Sequence, residues 1–315
     1  MPTIQDIEQA YHRIKHLIKE TPIQTSRTLN NLTKTNIFLK CENFQRGGSF
    51  KFRGVSNKLL QINNKDKRKG VITHSSGNHA QALALGASIL KIKSIVVMPK
   101  NTPKIKMNAT REYGAEIVEC ENNIKDREET CNNLISKYGY TLVHPYDDDV
   151  IITGAGTAAF ELLNTENNLD FIFCPIGGGG LISGTSIASK GLCATAKVIG
   201  VEPEKADDAY RSFKDGKLYP SNYPDTIADG LRTSLSQRTF RIIQKNVDEI
   251  ITVSEKEITN AMKFLWVRMK LVVEPSGAVP LAGVFKMSEI LNNQRVGVII
   301  SGGNVELSKF FNNYL

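Results

Sequence analysis

The stretch Phe171-Ile172-Phe173-Cys174-Pro175-Ile176-Gly177-Gly178-Gly179-Gly180-Leu181 changes character at its middle. Its first half is a short apolar run, which reads as a buried strand bounded by a turn signal. Four consecutive glycines follow, and then a segment of helical length. Glycines let the backbone wrap closely round an anion, and a helix start adds unpaired N–H donors and the positive end of the helix dipole. Strand, glycines and helix in this order predict a phosphate site at the carboxyl end of a strand in an α/β sheet. A P-loop is excluded, because no Gly-Lys-Ser/Thr follows. A dinucleotide fold stays open on this stretch alone, since Glu202 ends another strand candidate at roughly the spacing expected of a ribose-binding acid.

Working outward, the same alternation recurs along the chain. Strand candidates are Ile37–Lys40, Val71–Thr73, Ser94–Met98, Glu116–Glu119, Phe171–Pro175, Val198–Val201, Ile250–Val253 and Val296–Ile300. Helical segments such as His79–Leu90, Thr153–Leu163 and Glu255–Met269 lie between them. This predicts an α/β fold with mostly parallel sheets. A chain of 315 residues exceeds what one core usually serves, so two domains are expected.

In such sheets ligands collect where strands run into helices, and three more of these junctions carry polar chemistry. Gly47-Gly48-Ser49-Phe50-Lys51-Phe52-Arg53-Gly54 places a lysine beside an aromatic at a helix start. Burial and the positive helix end both lower a lysine pKa, which covalent work near neutral pH requires. Thr73-His74-Ser75-Ser76-Gly77-Asn78-His79-Ala80 offers hydroxyls, an amide and backbone N–H groups; the same residue types also serve as plain helix caps. Ile300-Ser301-Gly302-Gly303-Asn304 is again read as strand, glycines and then helix. Singly, Lys51 reads as a surface lysine and each loop as a turn. Together they describe a pocket for pyridoxal phosphate, with Lys51 as its Schiff-base lysine.

Composition sets the outer limits. The chain is 41% hydrophobic and 23% charged, with a formal net charge of +8. The basic residues are scattered apart from Lys65, Lys67, Arg68 and Lys69, which reads as a solvated loop and not a nucleic-acid surface. No apolar run approaches membrane-spanning length, and the polar, amphipathic N-terminus is not a signal peptide. Five cysteines at irregular spacing, with no Cys-x-x-Cys pair, argue against a disulfide framework or zinc site and for a cytoplasmic setting.

Ser49-Phe50-Lys51-x-Arg53-Gly54, Ser75-Ser76-Gly77-Asn78-His79, Gly177–Gly180 and Ser301-Gly302-Gly303-Asn304 together resemble the fold-type II pyridoxal-phosphate enzymes, the tryptophan synthase β-like group. Within it the chain is most similar to serine racemases, and next to catabolic threonine dehydratases, over nearly its whole length. The resemblance implies two open, twisted, mostly parallel sheets flanked by helices. A large domain would take residues 1–69 and 148–315, and a small mobile domain residues 70–147. It implies a Schiff base on Lys51, Phe50 beside the ring, Asn78 on the ring's phenolic oxygen, Ser301 at the pyridine nitrogen, and Gly177, Gly178, Gly179, Gly180 and Leu181 round the phosphate. Ser75, Ser76, Gly77, Asn78 and His79 would cradle the substrate carboxylate. A hydroxyl at the pyridine nitrogen leaves the ring a weaker electron sink, which favours racemisation or β-elimination over transamination.

Inverting Cα needs acid/base groups on both faces. Lys51 would serve one, and Ser76 the other, where many threonine dehydratases carry alanine. The implied activity is interconversion of L- and D-serine with accompanying dehydration to pyruvate. Threonine/serine dehydration without racemisation is the alternative. An aspartate racemase or hydroxyaspartate dehydratase is placed lower, because Asp147, Asp148 and Asp149 would repel a second carboxylate. Tyr146, Ala155 and Thr233 depart from the racemase pattern. The resemblance further implies a Mg²⁺, Ca²⁺ or Mn²⁺ ion on Glu202, Asp208 and the Ala206 carbonyl. It also implies Mg-ATP as an activator near Gln81, Tyr113, Lys270 and Asn304, a homodimer, and serine or threonine as the small-molecule partner.

Overall fold

The computed structural model describes residues 1–222 and 224–307. Among the described residues ten strands are present: β1 Ile23–Gln24, β2 Asn36–Cys41, β3 Val71–His74, β4 Ser94–Pro99, β5 Glu116–Cys120, β6 Thr141–Leu142, β7 Phe171–Pro175, β8 Lys197–Pro203, β9 Glu249–Val253 and β10 Arg295–Ile300. They form a six-stranded sheet in the order β1-β2-β10-β7-β8-β9 and a four-stranded sheet in the order β5-β4-β3-β6. Every pairing is parallel except that of β1 with β2. Every residue of β4 is buried, as are the last six of β8. Strands covered by helices on both faces read as unbroken apolar runs, which is why they were visible in the sequence.

All eight expected strands are found within a residue or two. The two-residue strands β1 and β6 were not anticipated, since so short a segment carries no periodicity. The helix expected at Thr153–Leu163 spans Asp149–Thr165. Its start is set by Asp148, whose side chain accepts the Val150 N–H, a polar capping signal that lies outside the apolar period.

Three helices meet through glycines. A Cβ on Gly154 would stand 2.7 Å from the Gly54 Cα, and one on Gly184 would stand 2.6 Å from the Gly156 N. The helix Asp149–Thr165 therefore packs backbone to backbone against both Lys51–Gln61 and Gly180–Leu192. It ties the helix that starts at Lys51 to the helix that follows the four glycines.

Candidate active site

Lys51 is the first residue of its helix, and no side chain caps that helix. The backbone before it is held to the loop after β10: Ser49 bridges Gly302, and Phe50 N–H donates to the Ser301 carbonyl at 3.0 Å. The Lys51 Nζ donates to the Pro145 carbonyl at 2.8 Å and lies 5.1 Å from the Phe50 ring centroid. Desolvation lowers its pKa to about 8, against the opposing pull of Glu274.

The glycine loop lies next to the residue after Pro145. A Cβ on Gly178 would fall 2.3 Å from the Tyr146 ring, and one on Gly180 would fall 3.0 Å from the Tyr146 Cβ. Gly179 has φ +83° and would place a Cβ 2.7 Å from the Thr239 Cβ, so only glycine is accommodated there. Gly179 also begins the helix Gly180–Leu192 with no side-chain cap. Its first N–H donors are left for an anion. This cup fits a phosphate.

Asn78 is oriented from two sides. Its Nδ2 donates to Glu274 Oε1 at 2.7 Å, and its Oδ1 accepts from Asn304 Nδ2 at 2.9 Å. A carboxamide nitrogen carries two hydrogens, so one remains for a ring oxygen. Burial pushes the Glu274 carboxyl up to about 8, with Asp229 adding to the rise and the Asn78 hydrogen bond opposing it. Ser75 Oγ accepts the Gly77 N–H at 3.3 Å and so shapes the polar loop itself. His79 is buried, with Nε2 on the Val143 carbonyl and Nδ1 without a partner. Ser301 is buried beside the Lys51 strand–helix junction.

Glu202, near the end of β8, and Asp208, at the start of the helix Asp208–Asp215, lie close enough for the charge of one to act on the other. Glu202 accepts the N–H groups of Ala209 and Tyr210, and Asp208 Oδ2 accepts that of Leu235. Asp208 Oδ1 is buried with no partner. Desolvation raises both acids, Asp208 to about 6, and the Asp208 charge further raises Glu202. Ala206 is buried beside them. Among the described residues no group of three or more His, Cys, Asp or Glu side chains converges. Of the residues matched to a nucleotide site, Asn304 is engaged within the pocket, with Gly47 and Asn78. Lys270 donates to the Val267 carbonyl, Gln81 is buried, and Tyr113 ends the helix Lys104–Glu112.

One premise of the sequence reading is corrected. Asp147, Asp148 and Asp149 do not present three free negative charges. Arg238 pairs with Asp147 and Asp149 at 2.9 Å each, and Lys58 with Asp148 at 2.7 Å. Two cations against three carboxylates leave one negative charge, so their repulsion of a second carboxylate is reduced. Sequence reasoning also missed Glu274 and gave Tyr146 no role. The signal for Glu274 was a lone acid in the apolar run Leu271-Val272-Val273-Glu274-Pro275, just ahead of a proline that starts a helix. His144 was likewise given no role. Its Nδ1 accepts the N–H groups of Tyr146 and Asp147, and burial lowers its pKa to about 4.

A glycine cup for an anion, a desolvated lysine and an oriented carboxamide on the strand ends of an α/β fold define the class of a cofactor-dependent enzyme. Residues 14–302 match the family described as pyridoxal-phosphate dependent enzyme, and the chain belongs to that family. It is 46% identical over 309 residues to the beta-hydroxyaspartate dehydratase of Paracoccus denitrificans, covering 98% of both chains. It is 44% identical to the L-threo-3-hydroxyaspartate ammonia-lyase of Saccharomyces cerevisiae, covering 98% of this chain and 95% of that one. The crystal structure of serine racemase from Dictyostelium discoideum superposes with a TM-score of 0.93 at 44% identity, covering 97% of this chain and 99% of that one.

Proposed function

We propose that the chain dehydrates a small β-hydroxy α-amino acid, with serine as a substrate, and inverts serine at Cα as a parallel outcome. The observation that carries this reading is the Lys51 Nζ, an amine desolvated to a pKa of about 8 and held at the Pro145 carbonyl beside the glycine cup. Pyridoxal phosphate, when bound, supplies an electron-withdrawing ring that stabilises negative charge at Cα. Gly177 to Gly180 and Leu181 would hold its phosphate, Asn78 its ring oxygen and Ser301 its pyridine nitrogen, and Phe50 would pack beside it. The loop Ser75 to His79 binds and orients the substrate carboxylate. Lys51 Nζ takes the Cα proton on one face and can return a proton to the leaving hydroxyl. Ser76 Oγ serves the opposite face, and a proton returned there inverts the centre. Glu202, Asp208 and the Ala206 carbonyl would hold a hard divalent cation, whose charge would engage the unpartnered Asp208 Oδ1.

A second reading is favoured by a specific observation. With Asp147, Asp148 and Asp149 paired to cations, a substrate with a second carboxylate meets no row of bare charge, and 3-hydroxyaspartate enters the substrate class. The test is a substrate panel on the purified holoenzyme: L-serine, D-serine, L-threonine and L-threo-3-hydroxyaspartate, with the keto acid and the opposite enantiomer both measured. Pyruvate and D-serine from L-serine are expected, and Ser76→Ala should lose D-serine formation more than pyruvate. Pyruvate without D-serine would reduce the reading to dehydration. Turnover of hydroxyaspartate far above serine would make the second reading the principal one.

A further inference from the structure

We infer that Arg53 is a positioning residue for Lys51, acting through a buried, charge-balanced cluster of Lys40, Glu42, Arg53 and Glu161. This rests on the reading of Lys51 as the amine that carries the cofactor.

All four side chains are buried, with relative exposures of 1%, 0%, 0% and 4%. Arg53 is held by two carboxylates. Its Nε meets Glu42 Oε2 at 2.7 Å and its Nη2 meets Glu42 Oε1 at 2.9 Å. Its Nη1 and Nη2 meet the two Glu161 oxygens at 2.7 Å each. Lys40 Nζ completes the set on Glu161 Oε2 at 2.7 Å and on the Thr21 carbonyl at 2.6 Å. Thr157 accepts a further Arg53 hydrogen at 3.2 Å. Two cations face two anions, and the fork geometry of the guanidinium uses both carboxylates in full.

Stability does not account for such a cluster. Desolvating four charges is costly, and well-packed apolar side chains of similar volume often serve the core as well or better. What the cluster specifies is geometry. Glu42 follows β2, Glu161 belongs to the helix Asp149–Thr165, and Arg53 stands two residues after Lys51. A second observation points the same way. The Lys51 helix begins with no capping side chain, so its first turn takes its orientation from other contacts. The bridge from Ser49 to Gly302 fixes the backbone just before Lys51. The Arg53 clamp fixes it just after. Between the two, the direction in which Lys51 leaves the helix is set.

The test compares wild type with Arg53→Lys, which keeps the charge but loses the fork, and with Arg53→Met combined with Glu42→Gln. The double variant removes one charge of each sign and leaves Lys40 paired with Glu161. Pyridoxal phosphate affinity is read from the visible absorbance of the bound cofactor, together with its pH midpoint and the melting temperature of the cofactor-free protein. We expect a folded double variant whose affinity is weakened about tenfold or more, a loss of about 1.4 kcal/mol, with a displaced pH midpoint. Arg53→Lys should move both readouts in the same direction. Affinity and midpoint within twofold of wild type in a folded double variant would overturn the proposal. So would failure of both variants to fold, which would make the cluster a stability element. If wild type takes up no cofactor, or Lys51→Ala takes it up unchanged, the reading of Lys51 fails instead.

Discussion

Burial moves Lys51 and Glu274 toward each other: the amine falls to about 8 and the carboxyl rises to about 8. Glu274 also bonds Asn78 and pulls the lysine value back upward. The consequences for stability have opposite signs. Glu274 binds its proton more tightly when folded, so the stability it contributes is present below the unfolded value of 4.5 and is lost as pH rises through about 8. Lys51 holds its proton less tightly when folded, so its contribution is present above 10.5 and is lost as pH falls through about 8. Each effect is limited to about 1.4 kcal/mol per pH unit. Melting of the cofactor-free protein should therefore weaken between about pH 5 and 8 and recover above it. Glu274→Gln should flatten the first limb and Lys51→Ala the second. Parallel wild-type and Glu274→Gln profiles from about pH 5 to 8 would exclude this assignment.

At the scale of elements, glycine does two different jobs. Gly178 and Gly179 open a cup and make room for Tyr146 and Thr239. Gly54, Gly154, Gly156 and Gly184 let three helices touch along their backbones. A methyl group at Gly184 would approach the Ile152 carbonyl to 2.5 Å, and backbone cannot move aside as a flexible side chain can. Gly184→Ala should cost about 1–3 kcal/mol, as overpacking in a dense core does. Urea denaturation would show this as a lower midpoint with an unchanged slope. A midpoint equal to wild type would mean that the helices are free to separate.

At the scale of the whole molecule, the pocket is closed by contacts between the two sheets' elements. Asn78 follows β3 of the smaller sheet, while Glu274 and Asn304 flank the larger one. Lys106, on the helix Lys104–Glu112, pairs with Asp229 across the same opening. Exposed pairs of this kind are worth little alone and break readily. The part built on the four-stranded sheet is thus expected to swing on the segment near residues 144–149, which Arg238 and Lys58 pin to the larger part. Solution scattering of the holoenzyme should show a smaller radius of gyration with Mg²⁺ and a serine analogue than without them. Identical curves would remove closure from the account.

The candidate pocket was legible along the chain because each part sits at a strand end within a local signal. The four glycines, Lys51 between glycines and a helix, and the Ser75–His79 loop each carry their meaning within ten residues. The parallel sheets were legible for a similar reason, since strands buried on both faces leave continuous apolar runs. By itself the sequence thus determined the fold class and the cofactor family, and it singled out Lys51 as the candidate amine. Other features join residues far apart in sequence. Glu274 reaches Asn78, Arg238 pairs with Asp147 and Asp149, and Glu161 meets Arg53. Charge in the sequence is a property of single residues, whereas its effect depends on distance and desolvation. Only the tertiary structure could show that three adjacent aspartates share two cations, that a lone glutamate bonds Asn78, and that the lysine's helix is clamped from behind.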